Sequence, residues 1–227
     1  MPIFSLDRLY ELFTNSENVL VSPSKWEDPF ENFILQSSVQ TASGETGKFA
    51  FHDDFYGQCW TFHTASDAMW RIYSPNKDAV RVRTSVDKLA RSLSGSLGQW
   101  AHVQAFIGRV DYLSDQKLKR FAGTVFELGF NPDAIARSLL IKRKAFAHER
   151  EVRLLYLEKG GTKHPNGLYR YTIDPHTLID QIMIDPRLTV SDAKVHMREI
   201  RNRTEFKGKI KRSLLYAPPE GFVVNVP

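Results

Sequence analysis

The sequence predicts an α+β fold, a single domain with helices flanking a curved sheet that is mixed or mainly antiparallel. Three observations lead there. Short segments alternate between apolar and polar residues, most cleanly Ala79-Val-Arg-Val-Arg83, and these are strands. Other segments place apolar residues three and four apart, as Leu6, Leu9, Tyr10 and Phe13 do, and these are helices. The two kinds follow one another without regular strand–helix–strand alternation, which argues against a parallel sheet. No internal repeat, low-complexity tract or Pro/Gly-rich linker interrupts the 227 residues, so 1–227 reads as one domain, long enough to bury a real core.

Taken in order, a helix at Leu6–Asn15 precedes a short strand, Val19–Ser22, which Pro23 stops. Trp26–Glu31 reads as a turn or short helix, Phe33–Val39 as extended or helical, and Thr41–Lys48 as a polar loop. Gly57–His63 is a strand. Ser66–Tyr73 is a short helix with Ala68, Met69 and Ile72 turned inward. After the strand Ala79–Arg83, a helix at Ser85–Leu93 buries Val86, Leu89, Ala90 and Leu93. Val103–Tyr112 is a strand. Asp115–Phe130 is helical, with Leu118, Phe121, Ala122, Val125 and Phe126 inward and Gly129 near its end. Asp133–Arg143 starts helical and can run to Ala145. Val152–Glu158, Leu168–Ile173, Leu178–Ile184 and Ile210–Tyr216 are strands, and residues 159–167 are an exposed turn cluster. Thr189-Val-Ser-Asp192 fits a capping box before a helix whose stripe is Val190, Ala193, Met197 and Ile200.

Apolar residues make up 42% and charged residues 25%, a soluble globular composition. No run of about 18 apolar residues exists to span a membrane. The N-terminus lacks a basic region followed by a long apolar stretch, and the single cysteine, Cys59, excludes an intramolecular disulfide. A cytoplasmic setting is expected. The net charge of +5 is unevenly spread: residues 1–67 carry ten acids and three bases, whereas 194–212 carry eight bases and two acids. Lys194, Arg198, Arg201, Lys209 and Lys211 are therefore candidate contacts to a nucleic-acid backbone. The same stretch can equally be a solvated helix face followed by an edge strand guarded by lysines.

The most informative segment is Lys142-Arg-Lys-Ala-Phe-Ala-His-Glu-Arg-Glu-Val-Arg-Leu-Leu-Tyr156. Read as a strand from His148, it puts Val152, Leu154 and Tyr156 on one face and Glu149, Glu151 and Arg153 on the other. Two carboxylates one pleat repeat apart, about 6.5–7 Å at the backbone, feel each other's charge, and Arg153 can orient one of them. Such a set can do acid–base or electrostatic work, or be an ordinary solvated face. Trp26-Glu-Asp-Pro-Phe-Glu31 is a Pro-fixed turn whose Asp28 and Glu31 can contact a substrate, or whose Asp28 merely caps. Gln58-Cys-Trp-Thr-Phe-His63 with Trp70 and Tyr73 sets aromatic rings beside Thr61, suited to a planar ring such as a nucleobase or nicotinamide, or simply to filling a core. Cys59 reads as a buried structural cysteine rather than a nucleophile served by His63. His52-Asp53-Asp54 has no partner cluster, so no metal site is assigned. There is no phosphate-binding Gly-rich loop and no dinucleotide fingerprint.

The order of the blocks resembles a bacterial and phage family catalogued as domain of unknown function 2971. The matching pieces are Leu20-Val-Ser-Pro-Ser-Lys-Trp-Glu-Asp-Pro-Phe-Glu31, Cys59-Trp-Thr61, Met69-Trp-Arg-Ile-Tyr73, Val80-Arg-Val-Arg83, the Lys142 to Arg153 block, Ile182-Met-Ile-Asp-Pro186 and Lys211-Arg-Ser-Leu-Leu215. That resemblance implies an intracellular protein of mobile elements or of conflict with phage. The chain is also similar to ADP-ribosyltransferases, which use an aromatic and hydroxyl-bearing strand and a later Glu-x-Glu. Here Trp60-Thr61 and Glu149-Arg150-Glu151 would take those places. The likeness implies NAD as substrate, Glu151 stabilising an oxocarbenium-like ribose and Glu149 orienting the acceptor. It also implies an Arg or His on an early strand, yet residues 19–22 contain no base.

The resulting expectation is a nucleotide- or nucleic-acid-directed protein, with ADP-ribosyl transfer or related glycosidic-bond chemistry at Glu149 and Glu151. Trp26, Asp28, Glu31, Trp60, Thr61, Trp70, Tyr73, Lys142 and Arg153 are the candidate substrate contacts. Two alternatives stand beside it. One is a non-enzymatic nucleic-acid- or protein-binding module in which Glu149, Glu151 and Arg153 form a structural ion network. The other is a metal-dependent nuclease using Asp28, Glu31, Glu149 and Glu151.

Overall fold

The computed structural model describes residues 3–40, 43–49, 51–64, 66–125, 127, 131–218, 221 and 223. From the N-terminus, β1 (Ile3–Ser5) leads into α1 (Leu6–Asn15) and β2 (Glu17–Val21). Two 3-10 turns, Pro23–Lys25 and Pro29–Glu31, precede α2 (Phe33–Gln36) and the hairpin of β3 (Ser38–Gln40) and β4 (Thr46–Lys48). Then come β5 (Phe55–Thr61), α3 (Asp67–Tyr73), β6 (Ala79–Arg83) and α4 (Val86–Leu97). A single helical turn, α5 (Ala101–Gln104), enters β7 (Ala105–Arg109) and β8 (Asp111–Leu113), followed by α6 (Asp115–Thr124), α7 (Pro132–Ser138) and β9 (Ile141–Arg143). A 3-10 turn over Lys144–Glu149 enters β10 (Glu151–Leu157). The rest is β11 (Leu168–Thr172), α8 (Pro175–Leu178), β12 (Gln181–Ile184), α9 (Val190–Thr204) and β13 (Lys209–Arg212).

The fold is α+β, and the strands divide between two main sheets. One has the order β1-β6-β12-β13 and is antiparallel except for the β12–β13 pair. The other has the order β11-β2-β5-β10-β7 and is antiparallel throughout. The main core lies between them, with α1, α4 and α9 contributing Leu9, Leu89, Leu93, Ala193 and Ile200. The inner strand β10 is buried along its whole length. Its alternation sends Val152, Leu154 and Tyr156 to the main core and Leu155 and Leu157 to a second cluster with α7. Glu151 and Arg153 share the face of Leu155 and Leu157 but sit at the end where that second core stops.

The helix at Leu6–Asn15 and the strand Ala79–Arg83 have the bounds their periodicity predicts. Six segments differ. Residues 133–145 do not stay helical: α7 ends at Ser138 and β9 pairs in parallel with β8. In a continuing helix the Leu139 carbonyl would accept from Arg143, but the Arg153 Nη1 takes it at 2.7 Å. The strand predicted from His148 begins at Glu151, because the preceding turn closes with Arg150 in the left-handed region (φ 46°). The strand predicted over Val103–Tyr112 is a helical turn and two strands. Val110 donates to Glu151 and Asp111 to Leu140, so the chain leaves β10 for β9 at that point. Of the helix predicted to Phe130, α6 covers Asp115–Thr124, while Phe126 and Gly129 fall outside the described residues. Thr41–Lys48, read as loop, contains β4. Leu178–Ile184, read as one strand, has Leu178 in α8.

One irregularity positions the site. β2 and β5 pair only at Val21 and Gly57. Beyond that point they part, and Asn18 and Gln58 exchange amide hydrogen bonds of 3.0 and 2.8 Å across the gap. Gly57 is required there: a Cβ would lie 2.7 Å from the Trp26 ring and 2.9 Å from Leu155. Gly57→Val should therefore displace Trp26 and cost about 1–3 kcal/mol. A red shift in tryptophan emission with a lowered urea midpoint is expected; an unchanged midpoint would contradict the packing.

Candidate active site

The parting of the strands opens a cleft of about 800 Å³, within the size range of small-molecule sites. Asn18, Gln58, Cys59 and Thr61 line it from the sheet, Tyr73 from α3, and Lys142, Glu149 and Glu151 from the segment around the β10 start. At its floor is a buried charge cluster. The Lys142 ammonium stands 2.9 Å from Glu31, 2.5 Å from Glu149 and 3.5 Å from Glu151. The Arg153 guanidinium, fully buried, donates through Nε to Glu151 at 2.8 Å and through Nη2 to Glu31. Its other face lies on the Trp26 ring, 4.3 Å from the ring centre. Three carboxylates against two cations leave one net negative charge beneath the cleft.

The backbone around the cluster is held as tightly as the charges. Thr61 Oγ1 donates to the Glu149 carbonyl at 2.5 Å, and the Tyr73 hydroxyl donates to its carboxylate at 2.9 Å. The Glu151 amide donates to the Tyr112 hydroxyl at 2.8 Å. Burial pushes the Glu31 carboxyl up, against the pull of Arg153 and Lys142. Burial also works against Glu151, but Arg153 and Lys142 outweigh it and hold that carboxyl below its ordinary value. Burial and the charges on Glu151 and Glu149 push the Tyr112 hydroxyl up to about 12, so it stays protonated at neutral pH.

The structure brings together Trp26, Asp28, Glu31, Thr61, Tyr73, Lys142, Glu149, Glu151 and Arg153, which all line the cleft or support its floor. Asp28 acts as the cap of its 3-10 turn, accepting from Phe30 N at 3.1 Å, and pairs with Arg143 at the mouth. Glu149 and Glu151 are not two pleats of one strand, and their proximity comes from the turn at Arg150. Trp60 borders the cleft but is 5% exposed and turns into the main core opposite Val152, its indole donating to Gln58. Trp70 is 1% exposed, does not line the cleft, and is a core residue. Only Tyr73 of that helical pair reaches the site.

Cys59, read from sequence as buried, is accessible from the cleft, although protein surrounds it on its other sides. Register places it opposite Arg153, and burial and the neighbouring Glu151 push its thiol well up. His63 is no base for it, because its Nε2 is engaged with the His148 carbonyl at 2.5 Å. Tyr112, Arg143 and Gln58 were not anticipated, and pairing across strands supplied them. The five basic candidates are all exposed but not one patch. α9 packs on the sheet face bearing Ile182, Ile184 and Ile210, whereas Lys209 and Lys211 point from the opposite face. Lys194 and Arg198 stay on the helix side, and Arg201 is spent on the Phe206 and Gly208 carbonyls.

The nuclease reading loses its metal position to the protein itself. Lys142 Nζ stands among Glu31, Glu149 and Glu151 where a divalent ion would have to sit. Among the described residues, no group of three His, Cys, Asp or Glu side chains is arranged to hold an ion, and no helix is long and apolar enough to cross a membrane.

No protein-family model and no curated protein matches the chain, so the resemblance to domain of unknown function 2971 gains no support. Two solved structures are similar in part. One is Thermus sp. 2.9 DarT in complex with NAD+, at 13% identity over 93% of this chain and 92% of that one, with a TM-score of 0.40. The other is the same protein in complex with carba-NAD+, at 15% identity over 93% of each chain, with a TM-score of 0.39. At those values the likeness carries no argument.

Removing one partner from the cluster should be costly. Lys142→Met leaves buried carboxylates uncompensated, and a loss of about 3–5 kcal/mol in urea unfolding is expected. A loss below about 1 kcal/mol, the level of an exposed pair, would contradict the geometry. The pH dependence has a definite sign. The lowered Glu151 carboxyl contributes stability above its unfolded value, and that contribution is lost as pH falls through its folded value, below the ordinary glutamate range. Glu151→Gln should flatten this acid limb of the stability curve, and an unaltered limb would count against its ionised, paired state.

Proposed function

We propose that the cleft binds NAD and that the carboxylates at its floor promote cleavage of the bond between nicotinamide and ribose. The observation that carries this reading is the position of Glu149 and Glu151 on the floor of a nucleotide-sized cleft, in a cluster with one excess negative charge. In the reaction, the ribose C1′–nitrogen bond breaks and its electron pair goes to the positively charged ring, which leaves neutral and needs no general acid. Positive charge grows on the ribose as it does so. A fixed carboxylate aimed there stabilises the transition state more than the ground state. Glu151, held ionised by Arg153 and Lys142, fills that role. An acceptor, water in the simplest case, then forms the new bond at C1′ and passes its proton to Glu149.

Binding follows from the walls. Tyr73, 45% exposed, offers a ring face beside Thr61 for the nicotinamide. Arg8 from α1, Lys25 from the first 3-10 turn and Arg170 from β11 line the cleft and can attract the diphosphate. These replace the early-strand base implied by the ADP-ribosyltransferase likeness, because β2 (Glu17–Val21) carries none.

A second reading rests on a specific observation: every carboxylate oxygen of Glu31, Glu149 and Glu151 already has a partner within the protein. The cluster then only ties the Pro29–Glu31 turn to β9 and β10. The two readings part at Glu151→Gln. The enzyme reading predicts at least a 100-fold fall in nicotinamide release with NAD binding retained by calorimetry. Unchanged release, or none in either protein with a large loss of stability in the variant, would leave the structural network. NAD should also slow alkylation of Cys59 by a maleimide, since the thiol faces the same cleft. An unaltered rate at saturating NAD would place the nucleotide elsewhere.

A further inference from the structure

The sheet β1-β6-β12-β13 has one face in the main core. The other carries Arg81 and Arg83 from β6, Gln181 and Met183 from β12, and Lys209 and Lys211 from β13. Register aligns them in two rows, Arg83–Gln181–Lys209 and Arg81–Met183–Lys211. Strand geometry makes the cationic corners a rectangle of roughly 10 by 7 Å at the backbone. Residues of β1 and Ala79 complete this face without an acid. None of the four cations forms an ion pair among the described residues.

The centre of this face is electrically unfinished. Arg81 is 5% exposed, its Nη2 meets only the Met183 sulfur at 3.0 Å, and its Nε has no partner. Gln181, 6% exposed, likewise has an unpartnered Nε2. Burial alone sets the Arg81 environment, with no carboxylate near enough to offset it. A buried guanidinium with neither carboxylate nor carbonyl acceptor is costly, and the ligand that relieves it is an anion.

We propose that this sheet face binds the phosphodiester backbone of single-stranded nucleic acid. Arg83, Lys209 and Lys211 present cations in two rows around the buried Arg81, and the side-chain acceptors of the face are neutral groups: the Gln181 carbonyl oxygen, the Ser5 hydroxyl and the Met183 sulfur. A phosphodiester strand brings acceptors and regularly spaced negative charge. An acidic peptide would also bring backbone N–H donors, to which the Arg and Lys groups of these rows offer no acceptor. None of its four cations lines the NAD cleft, although Ile3 on the same sheet face does, and binding here does not depend on turnover there. It also moves the basic contacts expected from sequence: Lys209 and Lys211 belong to it, and Lys194, Arg198 and Arg201 do not.

The test is fluorescence anisotropy of a labelled single-stranded oligonucleotide with the full chain, without NAD. The charge-reversed Arg83→Glu/Lys209→Glu/Lys211→Glu variant should bind at least tenfold more weakly while keeping its circular dichroism and thermal midpoint. All three residues are exposed, so folding should survive. A wild-type slope of log affinity against log salt of about −2 to −3 is expected for three or four phosphates. Lys194→Glu/Arg198→Glu, on the far side of α9, should bind as wild type. The proposal is overturned if wild type fails to bind at 50 mM salt, used as a roughly low-screening condition, if the sheet variant binds normally, or if the α9 variant takes the loss. Competition by polyglutamate as effective as that of unlabelled oligonucleotide would also overturn it, in favour of an acidic protein partner.

Discussion

The burial of two cations, Lys142 and Arg153, at one end of β10 is the constraint on which the rest of the structure depends. An isolated charge there would cost several kcal/mol, so each must meet acids from elsewhere in the chain. Glu31 comes from a 3-10 turn, Glu149 from the turn before β10 and Glu151 from β10 itself. Meeting that demand dictates local backbone. The helix before β9 stops so that the Leu139 carbonyl can serve Arg153, and Arg150 takes a left-handed conformation so that Glu149 can turn back to Lys142. Buried ion clusters of this kind contribute little stability compared with well-packed apolar replacements. Its place on the floor of a cleft gives it a use that stability does not.

The second constraint is the early separation of β2 from β5. A fully zipped pair would close the sheet and bury the floor. The reciprocal Asn18–Gln58 amides hold the gap at a fixed width while satisfying groups that would otherwise be stranded, with Trp60 and Tyr171 completing the network. Trp26 reaches over Gly57 to cover Arg153, so one ring both closes the second core and shields the guanidinium from water. Sheet irregularity, aromatic cover and charge cluster are thus one assembly.

Much of this was legible from residue pattern. The period of Leu6–Asn15 and of Ala79–Arg83 is strong because each buries one face against the same core. The alternation that sets Glu151 and Arg153 apart from Val152 and Leu154 holds in the structure for the same reason. What pattern could not show was long-range compensation. Lys142 looks like one more base in a helical run until its acids, from up to 111 residues away, are in place. Nothing in residue type announces that Arg150 adopts positive φ, a conformation that non-glycine residues take only when surroundings impose it. Trp70 and Tyr73, one turn apart, differ in fate because one points into the core and the other into the cleft. The basic run from 194 to 212 divides because alternation in β13 turns its lysines away from α9.

The central claim is that the Glu149–Glu151 floor faces the reacting ribose. The most direct measurement is a crystal structure of the chain with a non-hydrolysable NAD analogue. The account predicts the ribose C1′ within about 3–3.5 Å of a Glu151 or Glu149 oxygen, the separation of reacting groups poised for chemistry. The nicotinamide should lie against Tyr73 and Thr61. An analogue bound away from this floor, or a cleft left empty at saturating analogue, would contradict it.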